Sequence, residues 1–486
     1  MLGDDVLYKP VTELSRLVRS RKISPVELTR ACLARIDALN PRLSAFVTVT
    51  DDLALAEAKQ AEREIAAGRN RGPLHGIPYG VKDLVATRGI RTTWGAKPYE
   101  HQVFDRDGAV VTKLRAAGAI LLGKLAMIEL AGGLGYSKGD ASLTGGAHNP
   151  WALDRWTCGS SSGSGAAVAA ALVPFAIGSE TWGSIICPSS FCGVSGLRPT
   201  FGRVSRRGAM ALSWTLDKLG PMARSARDCE LVLERIQGRD PDDPYSSEEK
   251  PAPASDPSAV KRLKLGWFKL DFEKFGDKSV EKAFLAALED LRRSGVRMEE
   301  AKLPDLPFES TTVVVLSAEV ATAFEELEKT GEARTMVSSG APLSFVTARA
   351  VGGADYVKAQ RVRTVCQQAM ADFFSRYDVL LYPGEGHTAF PLDKDFSDIA
   401  WADPVGAAGN LCGLPAISVP CGFGEGGLPV SLTALTSSFE EDKGISIARH
   451  FQQITSWHVK RPALDPPTGT RAAGVRAAGA PSPAGS

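Results

Sequence analysis

Two serine-bearing turns lie in the part of the chain that is richest in glycine, serine and alanine. The turns are residues 159–164 and 178–184, and the small residues between them, 165–172, predict one short helix. A helix of about 8–10 residues spans only ~15 Å. The chain that returns from it can therefore bring Ser184 back beside Ser160, although these serines are 24 positions apart.

Turns of this composition could carry acyl-transfer chemistry. A serine hydroxyl becomes a useful nucleophile once a neighbouring group takes its proton. A glycine-rich turn aligns successive backbone N–H groups into an anion-binding nest, which is what a developing oxyanion requires. From these residues alone, a flexible glycine–serine linker or a serine-capped helix N-terminus remains an open alternative.

The motifs around these turns resemble those of the amidase signature family. The family's usual forms are G-G-S-S-G-G-S, then G-T-D-x-G-G-S-I-R-x-P, then F-C-G-x-x-G-L-K-P-T. This chain has CGSSSGS, GSETWGSIICP and FCGVSGLRPT in the same order, and GIPYGVKD at residues 76–83 resembles the family's G-I-P-x-x-x-K-D. The likeness covers roughly residues 10–462, and its further elements are Gly123-Lys124, His148 to Trp151, Ala408 to Ala416 and Trp457-His458.

The resemblance implies a catalytic triad without histidine. Ser184 is then the nucleophile, Ser160 the bridging serine after a cis Gly159–Ser160 bond, and Lys82 the base. A lysine can accept a proton only when it is neutral, so its usual pKa of ~10.4 must fall to roughly 7–8. The ordinary alternative for Lys82 is a solvated surface lysine.

The resemblance also implies how the turns are supported. The oxyanion hole would consist of the backbone N–H groups of Thr181, Trp182, Gly183 and Ser184. Ser161 and Ser179 would join the hydroxyl network. No metal or organic cofactor is implied.

Three departures of the nucleophile turn from the family's usual form bear on its support and on the pocket. Glu180 stands for its aspartate, Trp182 for its second glycine and Ile186 for its arginine. The usual aspartate and arginine are expected to pair and brace this turn, and here both are replaced. Since other amidase-like sequences carry the same E-T-x-G-S-I form, we interpret the chain as an active member of a variant branch.

Candidate pocket residues come from segments near these turns. They are Met127, Tyr136, Trp182, Phe390 and Trp401, although such side chains are often plain core. An aromatic lining would favour apolar or aryl amides over free glutamine. Esters and carbamates (urethanes) are further candidate substrates, because all three classes pass through the same tetrahedral oxyanion.

Other interpretations of these motifs remain to be tested. Gly159 to Gly163 fits G-x-S-x-G, the nucleophile elbow of α/β-hydrolases, with Ser161 as nucleophile and His450 or His458 as base. Against this, HNPWALDRWTC before the turn is not an apolar strand. Residues 118–124 fit G-x-x-x-x-G-K, but Leu125 replaces the Ser or Thr that binds magnesium.

Two alternatives lie within the resembled family. One is the glutamine-hydrolysing component of a tRNA-dependent amidotransferase, which works only in a complex. The segment where that protein is expected to bind glutamine reads LYPGEGH here, residues 381–387, without the usual P-T-T-P-like stretch. The other is an inactive member that serves as a binding module.

The elements that must position these residues alternate between helix and strand. Ser24-Pro25-Val26-Glu27 is a capping box with proline at the first helical position. Predicted helices follow Asp51 and cover residues 110–117 and 279–293, and apolar strands are predicted at residues 77–81, 119–122, 263–268, 379–382 and 416–419. This alternation predicts an α/β protein, and with the resemblance a single large α/β/α domain whose central, mixed, mostly parallel sheet is covered by helices.

The composition and net charge argue against some classes of function. The 486 residues carry a net charge of +1, with 44% hydrophobic and 23% charged residues, which indicates neither nucleic-acid binding nor a membrane surface. The acidic N-terminus does not resemble a secretory signal, so we expect a cytoplasmic monomer or homodimer acting on a small amide. We expect a domain over residues 1–465 with a surface loop at about 239–258, and a disordered low-complexity tail at 466–486.

The eight cysteines show no C-x-x-C spacing. They are Cys32, Cys158, Cys187, Cys192, Cys229, Cys366, Cys412 and Cys421. Scattered cysteines in a chain of this kind predict buried reduced thiols.

Overall fold

The computed structural model describes residues 2–250, 253–338 and 340–464. The predicted disordered tail at 466–486 lies outside these residues. The helices are α1 Asp4–Leu7, α2 Val11–Arg19, α3 Pro25–Leu43, α4 Asp51–Ala66, α5 Ala109–Ala116, α6 Ser162–Ala169, α7 Ile186–Cys192, α8 Ala226–Ile236, α9 Phe272–Phe275, α10 Lys278–Arg293, α11 Phe308–Ala323, α12 Glu325–Thr330, α13 Ala341–Arg349, α14 Gly353–Phe374, α15 Pro404–Leu411 and α16 Glu441–Ile454.

The strands form one large sheet and one small one. They are β1 Phe46–Val49, β2 Pro78–Lys82, β3 Ile120–Leu125, β4 His148–Asn149, β5 Ala152–Trp156, β6 Phe175–Glu180, β7 Ser195–Arg198, β8 Lys218–Ala223, β9 Leu265–Trp267, β10 Met298–Glu300, β11 Val379–Pro383, β12 Ala416–Phe423 and β13 Pro429–Thr436. The eleven-stranded sheet has the order β1-β3-β2-β6-β8-β7-β12-β13-β11-β9-β10, and β4 pairs with β5. Helices flank the large sheet, which confirms the predicted α/β class.

The balance of strand directions differs from the prediction. Of the ten pairings that the described strands form in the large sheet, four are parallel and six antiparallel. The sheet is mixed as predicted but not mostly parallel. The reason is that β12 and β13 form a hairpin, and that β7 and β8 each pair only with antiparallel neighbours. The run of apolar residues in a buried strand does not encode its direction.

The N-terminal helix prediction is confirmed by its cap. The Ser24 hydroxyl accepts hydrogen bonds from the backbone N–H groups of Val26 and Glu27, and the Glu27 carboxylate accepts from the Ser24 N–H. Helix α3 then buries the predicted face, Leu28, Cys32, Leu33, Ile36 and Leu39. This face joins the core that supports β2 and β3.

The strand arrangement positions the chemistry. Strands β2 and β6 are parallel neighbours, with Tyr79 opposite Phe175 and Val81 opposite Ile177. Parallel neighbours end at the same edge of a sheet. Lys82, the last residue of β2, therefore lies beside Ser179 and Glu180, the last residues of β6.

The structure tests the predicted surface loop and the stretch that precedes the first serine turn. Residues 239–250 and 253–258 contain no helix or strand, in line with the predicted loop. Residues 152–156 form a strand, β5, but a partly exposed one, so this stretch is not an apolar strand, as expected. β5 pairs with β4 outside the large sheet, and its charged residues Asp154 and Arg155 suit a partly exposed strand.

No helix among the described residues combines the length and apolar character needed to cross a membrane.

Candidate active site

Lys82 is buried and held by serines. Its side chain is 0% exposed, and Nζ lies 2.7 Å from Ser160 Oγ and 2.9 Å from Ser179 Oγ. Burial lowers the pKa of Lys82 well below its usual value, and the nearby charges of Asp217 and Glu180 offset this only in part. The amine at the end of β2 is therefore poised to accept a proton, and the alternative of a solvated surface lysine is wrong.

The first serine turn leads into α6, which begins at Ser162, three residues earlier than predicted. The Gly159–Ser160 peptide bond is cis, as the family resemblance implies. The Ser160 carbonyl accepts a hydrogen bond from Ile128 N–H at 3.2 Å. The buried Ser161 hydroxyl bonds to both backbone groups of Ser179, at 3.1 and 3.2 Å. The turn is thus tied to the end of β6, next to Lys82.

The second turn returns to the first, as the sequence predicts. The Ser161 N–H donates to the Ser184 carbonyl at 3.3 Å, and Ser184 is buried with 8% exposure. The hydrogen bonds among the described residues link Lys82 to Ser160 but include none between the hydroxyls of Ser160 and Ser184. For the last step of the proton path, from Ser184 to Ser160, the structure therefore shows adjacent turns and no direct hydrogen bond between the two hydroxyls.

The loop before Ser184 presents backbone donors. Gly183 has φ of +80°, a conformation that favours glycine. In the part of the chain that the structure describes, the N–H groups of Trp182, Gly183 and Ser184 donate no hydrogen bond. Trp182 and Gly183 are partly exposed, and three such N–H groups in succession match the anion-binding nest expected there. The Thr181 hydroxyl donates to Asp217 at 2.6 Å and anchors the start of this loop.

A buried ion pair between Glu180 and Arg198 supports the nucleophile turn. Glu180 accepts from the N–H groups of Ile185 and Ile186 at 2.8 and 3.0 Å, and from Arg198 Nη1 at 2.7 Å. Asn410 adds a fourth donor at 3.0 Å. Burial alone would raise the pKa of Glu180, but the charges of Arg198 and Lys218 and these hydrogen bonds lower it to about 2.

This ion pair corrects the expectation that the nucleophile turn lacks a supporting acid–base pair. The turn has not lost its acid–base pair, because the longer Glu180 carboxylate reaches Arg198 on β7. Sequence reasoning assigned no role to Arg198 or Asn410, although both lie in the quoted motifs FCGVSGLRPT and AGNLCGLPA. The one charged residue in the motif FCGVSGLRPT was the signal that could have found Arg198.

The cysteine prediction is wrong for two of the eight residues. Cys158 and Cys187 form a disulfide with their Cα atoms 5.8 Å apart, and the other six are free and buried. The paired residues are 29 positions apart in sequence, so only the folded turns bring them together.

The predicted pocket residues fall into separate groups. Trp182 and Trp401 pack together with ring centroids 5.6 Å apart, and Trp182 Nε1 donates to Asp403 at 2.9 Å. Tyr136 and Phe390 belong to a second aromatic cluster, in which each packs against Phe396. Met127 is 0% exposed and lies in the main core.

Two carboxyl groups that sequence reasoning did not select lie beside the tryptophan pair. Trp401 Nε1 donates to Glu385 at 3.3 Å. Burial, together with the charge of Asp403, raises the pKa of Glu385 to about 8. Burial also raises the pKa of Asp403 to about 7. The tryptophan side of the site is therefore polar as well as aromatic.

A cavity of about 180 Å³ lies on another side of the nucleophile loop. Ser179, Thr181, Asp217 and Lys218 line it, together with apolar side chains such as Leu212. The three predicted triad residues are not in its lining. The cavity therefore borders the second turn without containing the three predicted triad side chains.

The rival interpretations of the motifs lack the geometry they need. The Ser161 hydroxyl hydrogen-bonds to Ser179, and no histidine bonds to it among the described residues, while His450 contacts Ser294 at 2.8 Å. Lys124 is buried in β3, with Nζ 2.7 Å from the Val85 carbonyl and 3.3 Å from Asp83. It is therefore not free to contact a nucleotide phosphate.

Comparisons with known proteins agree with this geometry. The family model Amidase matches residues 27–443. The chain is 36% identical to a component of the glutamyl-tRNA(Gln) amidotransferase of Geobacillus kaustophilus, over 93% of this chain and 99% of that protein. The solved structure of peptide amidase from Stenotrophomonas maltophilia superposes with a TM-score of 0.82 and 31% identity, covering 94% of this chain and 98% of that one. A bacterial aryl acylamidase superposes with a TM-score of 0.84 and 25% identity, covering 95% and 100%. The chain therefore belongs to the amidase signature family of serine amidohydrolases.

Proposed function

We propose that the protein hydrolyses carboxylic amides through Ser184, Ser160 and Lys82. The observation that carries the proposal is the contact between Lys82 Nζ and Ser160 Oγ at 2.7 Å, made by a fully buried amine whose pKa is well below its usual value. A structural lysine would be expected to pair with a carboxylate. This one contacts hydroxyl and carbonyl oxygens of serines, in the turn next to Ser184.

The reaction follows from these positions. Neutral Lys82 takes the proton of Ser160, which takes the proton of Ser184, and Ser184 Oγ attacks the carbonyl carbon. The oxyanion is stabilised by the N–H groups of Thr181, Trp182, Gly183 and Ser184, of which the last three donate to no other group among the described residues. The relay returns a proton to the leaving amine, and water hydrolyses the acyl-enzyme by the same route.

The proposed substrates are apolar or aryl amides. The support is the aromatic surroundings of the turns, formed by Trp182 with Trp401 and by Tyr136 with Phe390 and Phe396. Relatives of similar structure are named a peptide amidase and an aryl acylamidase. Hydrolysis of aryl esters and carbamates is proposed as a side activity of the same oxyanion hole. We propose that the protein works as a monomer or homodimer.

The proposal is tested with a substrate panel of aryl anilides, aliphatic amides, dipeptide amides, carbamates and esters. Ser184→Ala and Lys82→Ala should each lower kcat by about 10³-fold or more, because each removes a member of one proton relay. A fluorophosphonate should label wild-type Ser184 and not Ser184→Ala, which also tests whether the protein is an inactive binding module. His450→Ala is the matched control and should retain wild-type kcat. Equal rates for wild type and Ser184→Ala would refute the proposal.

A second candidate function is favoured by one observation. The curated relatives that match over nearly their whole length, at 36% identity, are named as components of glutamyl-tRNA(Gln) amidotransferases. Under this alternative the purified chain should hydrolyse glutamine and be nearly inactive on anilides without its partner proteins. Activity of the purified chain on anilides, with glutamine as a poor substrate, would exclude it.

A further inference from the structure

The Cys158–Cys187 disulfide joins the two turns that carry the proposed catalytic serines. Cys158 lies two residues before Ser160, and Cys187 lies three residues after Ser184. The cross-link thus spans the boundary across which a proton must pass from one hydroxyl to the other. The family's usual motif has glycine at the position of Cys158, so that motif does not imply this connection.

Among the described residues, three hydrogen bonds join the two turns, and all three involve Ser161. The backbone bond from Ser161 N–H to the Ser184 carbonyl, at 3.3 Å, is longer than the usual 2.9–3.0 Å. The Ser161 side chain bonds to both backbone groups of Ser179, which lies at the start of the second turn and five residues before Ser184. Cys187 N–H donates to the Gly183 carbonyl at 2.8 Å, so the position of Cys187 is coupled directly to the nucleophile turn.

Each cysteine is also fixed within its own turn. Cys158 has φ of +61°, which is unfavourable for a residue with a side chain, and its carbonyl accepts from Thr157 Oγ1 at 3.0 Å. Both cysteines belong to an aromatic cluster that includes Trp156 and Phe191. The disulfide therefore connects two rigid segments, and it restrains the distance between them.

We propose that Cys158 and Cys187 are positioning residues for the amide hydrolysis described above, in that their disulfide holds the Ser160 turn and the Ser184 turn in register for proton transfer. The inference rests on the proposed function. Proton transfer between hydroxyls and attack on a carbonyl both require near-contact geometry, and a misplacement of about 1 Å can cost about 10²-fold in rate. Opening the cross-link therefore lowers kcat more than it changes KM.

The first test is the double variant Cys158→Gly/Cys187→Ala. Glycine suits the positive φ at residue 158 and is the family's usual residue there, so the variant is compatible with the backbone. We expect kcat on an aryl anilide to fall about tenfold or more, with KM changed less than about threefold, and labelling of Ser184 by a fluorophosphonate to slow in parallel. Cys421→Ala, which removes a free buried cysteine on β12, is the control and should keep wild-type kcat.

A second measurement uses the native protein and does not depend on how the variant folds. A dithiol reductant supplies two electrons and two protons, closes to its own disulfide and leaves two thiols at Cys158 and Cys187. Trapping these thiols with iodoacetamide should lower kcat, and mass spectrometry of the peptides reports how much of the disulfide was opened. Without reductant, the two peptides should be recovered as one cross-linked species.

The outcomes separate this inference from the proposed function. Wild-type kcat in the folded double variant, or free thiols at both positions in untreated protein, would overturn the positioning role while Ser184→Ala remains inactive. A lower melting temperature with unchanged kcat would likewise overturn it, since that marks a structural cross-link only. If Ser184→Ala matches wild type, the proposed function itself is refuted.

Discussion

At the scale of single residues, the site depends on a lysine kept in an unfavourable environment. An amine that is fully buried without a carboxylate contact costs stability whenever it is charged. Lys82 avoids part of this cost because burial shifts its pKa well below the usual value. The same shift is what the proposed role of this amine as a base requires. Function and stability therefore place opposite demands on this side chain.

This opposition predicts the behaviour of Lys82→Met. The variant should lose activity and gain about 1 kcal/mol of stability near pH 7, because methionine needs no desolvation of an amine. The unfolded chain binds a proton at Lys82 up to about pH 10.5, and the folded chain releases it at lower pH. Wild-type stability from this group therefore rises with pH between these two pKa values.

Chemical denaturation of both proteins at pH 7 and pH 9.5 checks this prediction. The stability advantage of Lys82→Met should be larger at pH 7 and should shrink at pH 9.5. In wild type, kcat/KM should rise with pH as Lys82 loses its proton and then level off. A variant less stable than wild type at both pH values would contradict this account.

At the scale of elements, parallel strands and one short helix account for the site. β2 and β6 end side by side, and α6 returns the chain over only eight residues. β7 contributes Arg198, whose ion pair with Glu180 holds the first residues of α7. Three strands, β2, β6 and β7, therefore support the nucleophile turn, although the turn directly follows only β6.

The ion pair predicts a non-additive stability effect. Arg198→Met leaves the Glu180 carboxylate buried without its cation and should cost about 3–5 kcal/mol. Glu180→Gln should cost a similar amount, because it leaves the guanidinium unpaired. The double variant should recover part of the loss, since neither charge then remains, and its coupling energy can be measured by urea denaturation of all four proteins. Simple additivity of the two losses would show that the residues do not act as a pair.

At the scale of the whole molecule, the last α-helix of the described fold, α16, ends at Ile454, ten residues before the last described residue, 464. Strand β13 and helix α16 complete the sheet and its cover, and the family model ends at residue 443. The last 22 residues, 465–486, are rich in Ala, Gly and Pro. We propose that the catalytic domain does not need them.

A truncation tests this boundary. A chain that ends at residue 464 should keep wild-type kcat and a melting temperature within about 2 °C, because no buried apolar residue of the described fold is removed. The matched control ends at residue 440, lacks α16 with its buried Ile445 and Phe451, and should be strongly destabilised. A large loss of activity in the longer chain would place the domain boundary further along the sequence.

The sequence determined the local elements and the chemical class. The Ser24 capping box, the apolar runs that become β2, β3, β11 and β12, and the two serine turns could be recognised directly because they depend on neighbouring residues. The motif resemblance added Lys82, Ser160 and Ser184. Only the tertiary structure decided that six of the ten sheet pairings are antiparallel, that Glu180 pairs with Arg198, and that Cys158 bonds to Cys187. Each of these depends on contacts between residues far apart in sequence, whose partners are selected by how strands and turns pack.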